Sequence, residues 1–237
     1  MHREKRNLNL GRGAIHGARG LDKSSPYIKG IFITVEGTDG CGKSTQLRMV
    51  VKHLKSLGYP VRVFKDPGGT SVGEEIRRIL LAKKSRRDPI DSVAEALLYL
   101  ASRRVLISRL IKPALDKGKL VLCDRFTDST LAYQGFGRGL SLPELRTLCS
   151  FASGGLKPDL TFLLDIEPAV GLTRVKGTDR IEALGLAFQQ KVRRGYLDLA
   201  RQEPGRIKIV SADGSRKEVF SRILPYLARL KASHYVK

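Results

Sequence analysis

The chain has 237 residues, which is long enough for one substantial hydrophobic core. Apolar residues make up 41% and charged residues 28%, close to globular averages, which excludes a wholly disordered chain and a membrane protein. The 44 Lys and Arg residues against 23 Asp and Glu give a net charge of +21 at pH 7, so polyanionic partners such as nucleotides, nucleic acid or an acidic membrane surface are expected.

Residues 1–30 are predicted to form a basic, disordered N-terminal arm, because they show no sustained apolar period and carry few acidic residues. The arm is interpreted as an extension. A nucleic-acid-binding or partner-binding arm and an organellar transit peptide are the alternatives. A single domain is predicted over residues 31–237.

The three cysteines, Cys41, Cys123 and Cys149, lie far apart and form no CxxC pair. This spacing indicates neither a disulfide framework nor a zinc cluster. No apolar run approaches the roughly 18 residues that span a bilayer, and the N-terminus lacks the apolar stretch of a secretory signal. The sequence therefore predicts a cytoplasmic protein without a membrane partner.

Short apolar runs alternate with longer amphipathic ones from residue 31 onward. Strands are predicted at 31–35, 61–64, 120–123, 160–164 and 206–210, several of them almost continuously apolar, as buried parallel strands are. The alternation predicts an α/β fold with a doubly wound parallel sheet, whose ligands bind beyond the carboxyl ends of the strands. Helices are predicted at about 43–57, 71–83, 90–117, 141–152, 184–202 and 215–231.

A phosphate-binding motif, GxxxxGK[ST], directly follows the first predicted strand. Its glycines let backbone N–H groups curl around phosphate oxygens at the N-terminus of the next helix. In this pattern the lysine neutralises the outer phosphates and the final hydroxyl ligates Mg²⁺, so ATP or another nucleoside triphosphate is expected together with Mg²⁺. The expected nucleotide-binding residues are Gly37, Thr38, Asp39, Gly40, Cys41, Gly42, Lys43, Ser44 and Thr45.

An acidic and a basic residue, Asp124 and Arg125, follow the third predicted strand. If this strand neighbours the first, Asp124 lies beside the phosphate loop and acts with Ser44 on Mg²⁺, while Arg125 points into the cleft as a bidentate phosphate clamp. An ordinary Asp–Arg ion pair is the alternative.

The chain from Ile31 to about Leu230 resembles the thymidylate kinase family. Two of its segments are more specific to that family than to P-loop kinases in general, namely AYQG at 132–135 and DRIE at 179–182. The resemblance implies a P-loop NTPase fold with a five-stranded parallel sheet flanked by helices and a short lid at about 174–182. The other matching segments lie at 36–45, 67–70, 111–115, 124–126, 137–139, 157–159 and 196–200.

The resemblance also implies a binding site for the acceptor nucleotide. Asp39 would accept a hydrogen bond from the 3′-hydroxyl group, Arg125 would hold the acceptor phosphate and Arg103 would hydrogen-bond the thymine edge. Tyr99 shares a helix face with Arg103, four residues away, and Tyr133 would exclude a 2′-hydroxyl group, with core packing as the alternative for this tyrosine. The implied substrate contacts are Asp39, Lys65, Pro67, Tyr99, Arg103, Arg125, Ser129, Thr130, Tyr133 and Gln134.

Family members without an arginine in the phosphate loop use a lid arginine on the transferring phosphoryl group. Gly40 stands at that loop position, so the resemblance assigns the role to Arg174 or Arg180. A solvated basic loop is the alternative.

The sequence departs from the family pattern before the segment at 67–70. Lys65 and Asp66 replace the usual Arg-Glu pair. Because lysine cannot form the planar fork of arginine, the contact with the acceptor phosphate is expected to be looser or shared with Arg125.

The resemblance implies that the γ-phosphoryl group of Mg-ATP is transferred to dTMP, giving dTDP and ADP for dTTP synthesis. It also implies a homodimer whose subunits pair through the helix near 90–117. The alternatives are a kinase of the same fold with another acceptor, a nucleic-acid-binding protein and a P-loop protein that binds nucleotide without turnover. Aromatic residues are only 6% and Trp is absent, which argues against nucleic-acid binding. The implied catalytic residues are Asp39, Lys43, Arg125, Arg174 and Arg180.

Overall fold

The computed structural model describes residues 30–82, 89–175 and 179–234. All but the last residue of the predicted arm, and residues 176–178 of the predicted lid, lie outside this described part of the chain. Five parallel strands form one sheet in the order β2-β3-β1-β4-β5, which confirms the predicted sheet. The strands are β1 (Ile31–Glu36), β2 (Val61–Lys65), β3 (Leu120–Asp124), β4 (Leu160–Asp165) and β5 (Ile207–Ser211).

Helices cover both faces of the sheet, and all six predicted helices are found within a few residues of their expected bounds. The longer ones are α1 (Lys43–Ser56), α2 (Ser71–Leu81), α3 (Ser92–Leu106), α6 (Leu142–Ser153), α8 (Gly185–Gln202) and α9 (Arg216–His234). The short helices are α4 (Lys112–Asp116), α5 (Thr127–Thr130) and α7 (Pro168–Thr173).

The predicted helix at 90–117 is interrupted by a wider π-helical turn at Ile107–Ile111, between α3 and α4. Pro113 in the first turn of α4 has no N–H to donate to the preceding turn, and a wide turn accommodates this loss. A second π-helical segment, Leu131–Gly137, continues α5. The strand and helix patterns did not predict this segment, because its side chains are buried without an amphipathic period.

Strand β1 is buried on both faces because helices cover both sides of the sheet. Ile31, Ile33 and Val35 pack in the cluster formed with α1 and α9, whereas Phe32 packs in the cluster formed with β3 and the end of α3. Thr34 is fully buried, and its hydroxyl lies 2.7 Å from that of Thr161 on β4.

The strand register brings the carboxyl ends of three strands to one level. Val35 of β1 pairs with Asp124 of β3, and Lys65 of β2 pairs with the same aspartate. The first and third strands are therefore neighbours, as the placement of Asp124 beside the phosphate loop requires. Among the described helices, none is both long and apolar enough to cross a bilayer.

Candidate active site

The phosphate loop connects β1 to α1 through glycines with positive φ. Gly37, Gly40 and Gly42 have φ of 143°, 75° and 94°, a region that side chains with a Cβ rarely occupy. Gly42 is the N-cap of α1, so the positive end of the helix dipole faces the loop. The first turn of α1 contains no acidic residue that would neutralise it. The Nζ of Lys43 folds back and donates to the carbonyls of Gly37 at 3.0 Å and Thr38 at 2.7 Å.

Gly40 lies against the backbone of α7, so no side chain fits at this position. A Cβ on Gly40 would be 1.9 Å from the carbonyl oxygen of Gly171. The structure thus explains why a glycine stands at this loop position, because any side chain there would displace α7.

An inner cavity of about 230 Å³ opens beyond β1, β2 and β3. The walls of this inner cavity include Lys43, Ser44 and Asp124, residues of α3 and α5, and three residues of the predicted lid, Asp179, Ile181 and Glu182. All the predicted substrate contacts line it: Asp39, Lys65, Pro67, Tyr99, Arg103, Arg125, Ser129, Thr130, Tyr133 and Gln134.

An outer cleft of about 410 Å³ lies on the other side of the phosphate loop. Gly40, Cys41, Gly42 and Thr45 line it, together with Arg174 and Ala212. Gly37 and Thr38 line neither space, and their carbonyls instead hold Lys43. Lys43 and Ser44 line both the cavity and the cleft, so ligands in the two spaces would meet at these residues.

Arg125 lies where the phosphate loop meets the inner cavity. A strained backbone and several hydrogen bonds hold it there. Its φ of 70° makes it the one described residue other than glycine with a positive φ. Its guanidinium donates to the carbonyl of Gly37 at 3.1 Å and to Asp39 Oδ1 at 2.7 Å. The guanidinium carbon lies 4.8 Å from the ring centre of Tyr133. Arg125 therefore spans from the phosphate loop to the inner cavity.

Glu36, at the end of β1, organises the turn that carries Arg125. The N–H of Phe126 donates to Glu36 Oε1 at 2.6 Å, and the hydroxyls of Ser129 and Tyr196 donate to Oε2 at 2.6 and 2.8 Å. Complete burial and the nearby charge of Asp128 raise the pKa of Glu36 to about 7, although these hydrogen bonds oppose the rise. Sequence reasoning placed Glu36 and Tyr196 in matching segments but assigned neither a role.

Gln189 of α8 holds Asp39 in place through two hydrogen bonds. This residue was not identified from the sequence. Its Nε2 donates to Asp39 Oδ2 at 2.7 Å, and its Oε1 accepts from the N–H of Asp39 at 3.4 Å. Burial raises the pKa of Asp39, but the positive charges of Arg125 and Lys43 outweigh it and hold this pKa below its usual value. Gln189 sits within an amphipathic helix pattern, so only its packing against the phosphate loop distinguishes it.

Arg103 lines the inner cavity but is already paired. It is 1% exposed, its Nε donates to Asp66 Oδ2 at 2.5 Å, and its Nη2 donates to the carbonyl of Phe126 at 3.1 Å. The aspartate that departs from the family pattern is therefore the counter-ion of this arginine. Lys65 lines the same cavity.

The two predicted lid arginines lie in different places. Arg174, at the end of α7, lines the outer cleft. Arg180 lines neither the cavity nor the cleft among the described residues, and its guanidinium is bound to Glu95 and to the carbonyl of Leu80. Arg174 is thus the one placed beside the phosphate loop.

The predicted Mg²⁺ ligands fit a cation that is held mainly by phosphates and water. Asp124 Oδ1 is buried and has no hydrogen-bond partner among the described residues, and Ser44 lines the same cavity. The described residues contain no group of three or more His, Cys, Asp or Glu that could hold a metal alone. Mg²⁺ bound with nucleotide phosphates needs only one or two protein ligands.

Comparisons with known proteins agree with this geometry. The family model described as Thymidylate kinase matches residues 35–223. A thymidylate kinase of Synechococcus sp. (strain JA-2-3B'a(2-13)) is 48% identical over 193 residues, covering 81% of this chain and 92% of the relative. A thymidylate kinase of Deinococcus radiodurans is 46% identical over 198 residues, covering 82% of this chain and 95% of the relative.

A solved structure is similar in fold as well. The thymidylate kinase from Ehrlichia chaffeensis superimposes with a TM-score of 0.70 at 31% identity, covering 84% of this chain and 98% of that one. The matched residues include the phosphate loop from Val35 onward and the segments that line the inner cavity. The chain belongs to the thymidylate kinase family.

Proposed function

We propose that this protein transfers the γ-phosphoryl group of ATP to dTMP, giving ADP and dTDP. The observation that carries the proposal is the meeting of two spaces at Lys43 and Ser44. The outer cleft opens on the phosphate loop and suits a nucleoside triphosphate, and the inner cavity suits the monophosphate. Arg125 lines the inner cavity and bonds to Gly37 of the phosphate loop, where the acceptor phosphate would lie.

The chain's own side chains act by positioning and by neutralising charge. Arg125 would aim the acceptor phosphate, because its position is held by Gly37 and Asp39. Lys43 would exchange its carbonyl partners for phosphate oxygens, and Arg174 would approach the same phosphates from the outer cleft. Such positioning and neutralisation account for phosphoryl transfer without a covalent enzyme intermediate.

Mg²⁺, when bound, would supply positive charge that neutralises the phosphates. Ser44 and Asp124 are the residues that would hold it.

Selection of a deoxynucleotide would come from Tyr133. Its hydroxyl donates to Asp39 Oδ1 at 3.1 Å, and its ring lies beneath Arg125. The ring is therefore fixed beside the residue that would bind the 3′-hydroxyl group, where it leaves little room for a 2′-hydroxyl. Thr130 Oγ1 is buried in the cavity wall and has no partner among the described residues, so it is available to the base.

The function is tested with a panel of monophosphates, measured as ADP release from Mg-ATP. We expect dTMP to be preferred over CMP, AMP and GMP by a large factor in kcat/KM. Lys43→Met should abolish turnover and leave the unfolding transition in place. Equal turnover of all four acceptors would instead identify a kinase of another specificity, and ATP hydrolysis stimulated by DNA without dTMP would favour the nucleic-acid alternative.

We also propose that the protein is a homodimer. Helix α3 packs between α2 and α6, and the outer surfaces of these helices expose Val72, Val93, Leu97, Leu148 and Phe151. Phe151 is 85% exposed. Exposed apolar side chains on neighbouring helices support an interface, and the resemblance implies pairing of two copies through the same helix.

A cytoplasmic location remains part of the proposal. It is supported by Cys41, Cys123 and Cys149, which are free thiols buried in the domain.

A further inference from the structure

A buried carboxylate lies behind the wall of the inner cavity. Glu95 of α3 is 1% exposed and binds three side chains. Its Oε1 accepts from Gln134 at 2.9 Å and from Arg138 Nε at 3.2 Å. Its Oε2 accepts from Arg138 Nη2 at 2.9 Å and from Arg180 Nη2 at 2.5 Å. Burial opposes its ionisation, but these hydrogen bonds outweigh the burial and lower the pKa of Glu95.

The partners of Glu95 differ in their position relative to the inner cavity. Arg180 stands between Asp179 and Ile181, both of which line the inner cavity. Arg138 lines neither the cavity nor the outer cleft among the described residues, and it lies 5.2 Å from the ring centre of Phe188. Gln134 lines the cavity itself. Of the two ion pairs, only the one with Arg180 adjoins cavity-lining residues in the chain.

Arg180 also fastens the same segment to the end of α2. Its Nε donates to the carbonyl of Leu80 at 3.0 Å, and its own N–H donates to the carbonyl of Leu81 at 3.4 Å. Residues 179–182 are therefore attached to α2 through the backbone of Leu80 and Leu81 and to α3 through Glu95, and one arginine makes both attachments.

We propose that Glu95 is a positioning residue that holds residues 179–182 against the inner cavity through Arg180 and thereby sets the affinity for the acceptor monophosphate. The inference rests on the proposed function for the identity of that acceptor. It also separates the two predicted lid arginines, because Arg180 acts on the wall of the cavity and Arg174 remains beside the phosphate loop.

Steady-state kinetics with dTMP distinguish positioning from catalysis. Arg180→Gln and Glu95→Gln should each raise KM for dTMP by about tenfold, the loss expected for one hydrogen bond to a charged group. The kcat and the KM for ATP should stay within about twofold. The double variant should be no worse than Glu95→Gln alone, because the link between Glu95 and Arg180 is already broken in that variant. A hundredfold fall in kcat for Arg180→Gln with unchanged KM would overturn the proposal and place Arg180 on the phosphates.

Arg138→Gln is the matched control, because Arg138 shares the carboxylate but does not carry the segment. We expect its KM for dTMP to stay within about twofold of the wild type. If Arg138→Gln and Arg180→Gln raise KM equally, Glu95 is only a structural counter-ion and the proposal fails.

Amide hydrogen exchange of the free protein gives a readout that needs no activity. The N–H groups of Ile181 and Glu182 donate to Asp179 Oδ1 at 2.9 Å, so they are protected while the segment is held. Arg180→Gln should speed their exchange by about tenfold, whereas Arg138→Gln should not. Unchanged exchange would refute the attachment even if dTMP is the substrate, and failure of the wild type to phosphorylate dTMP would refute only the proposed function.

Discussion

The contact between the phosphate loop and α7 can be tested by adding a single methyl group. Gly171 is a helical residue of α7, and a Cβ at this position would lie 2.5 Å from the carbonyl oxygen of Asp39. The next nearest atoms are 3.7 Å away, in ordinary contact. Gly171→Ala therefore perturbs one contact, between α7 and the residue whose carboxylate holds Arg125.

The size of the effect follows from that distance. An ordinary contact of a Cβ begins at 3.4 Å, so α7 or the loop has to move by about 0.9 Å. A misplacement of about 1 Å at reacting groups costs about 10²-fold in rate. The free energy of unfolding should fall by about 1–2 kcal/mol, because overpacking costs about 1–3 kcal/mol and alanine recovers about 0.5–1 kcal/mol of helix propensity.

The assay is ADP release at saturating ATP and dTMP, together with urea unfolding of the same samples. Gly205→Ala is the matched control, because a Cβ there meets nothing within 4 Å, and it should change turnover by less than about twofold and unfolding by less than about 0.5 kcal/mol. If Gly171→Ala keeps more than about a third of the wild-type kcat, α7 does not position the phosphate loop and the reasoning fails.

Three further predictions concern stability and assembly. Glu36 has a pKa of about 7 in the folded protein, against an ordinary value of 4.5. Between these pH values the folded protein therefore binds more protons than the unfolded chain. As pH rises from 4.5 to 7, this group lowers the free energy of unfolding by about 3 kcal/mol. Glu36→Gln should remove that fall, and urea titrations that show the same pH slope in both proteins would contradict it. Asp66→Ala leaves the buried guanidinium of Arg103 without its carboxylate and should cost about 3–5 kcal/mol in urea unfolding, whereas a loss below 1 kcal/mol would mean that the pair is not buried as described. Phe151→Asp should shift sedimentation equilibrium from dimer to monomer, and an unchanged mass would exclude the proposed interface.

The strands, the longer helices and the phosphate loop could be predicted from the sequence because their signals are local. The almost continuous apolar run of β1 reflects burial on both faces, and the loop glycines stand where the backbone requires positive φ. The predicted substrate contacts came from the family resemblance, and the structure places them around one cavity, while their binding roles stay predictions. The segment Leu131–Gly137 was missed as a helix because burial on all sides removes the period that marks a surface helix.

The sequence by itself determined the α/β fold, the nucleotide-binding loop and the residues that gather around the cavity. Only the tertiary structure decided how those residues are supported. Arg180 reaches Glu95 across 85 positions of the chain, and Gln189 reaches Asp39 across 150. Such contacts depend on how α3, α8 and the phosphate loop pack against the sheet, and no local period or spacing encodes that packing, so the two lid arginines could be told apart only in the folded molecule.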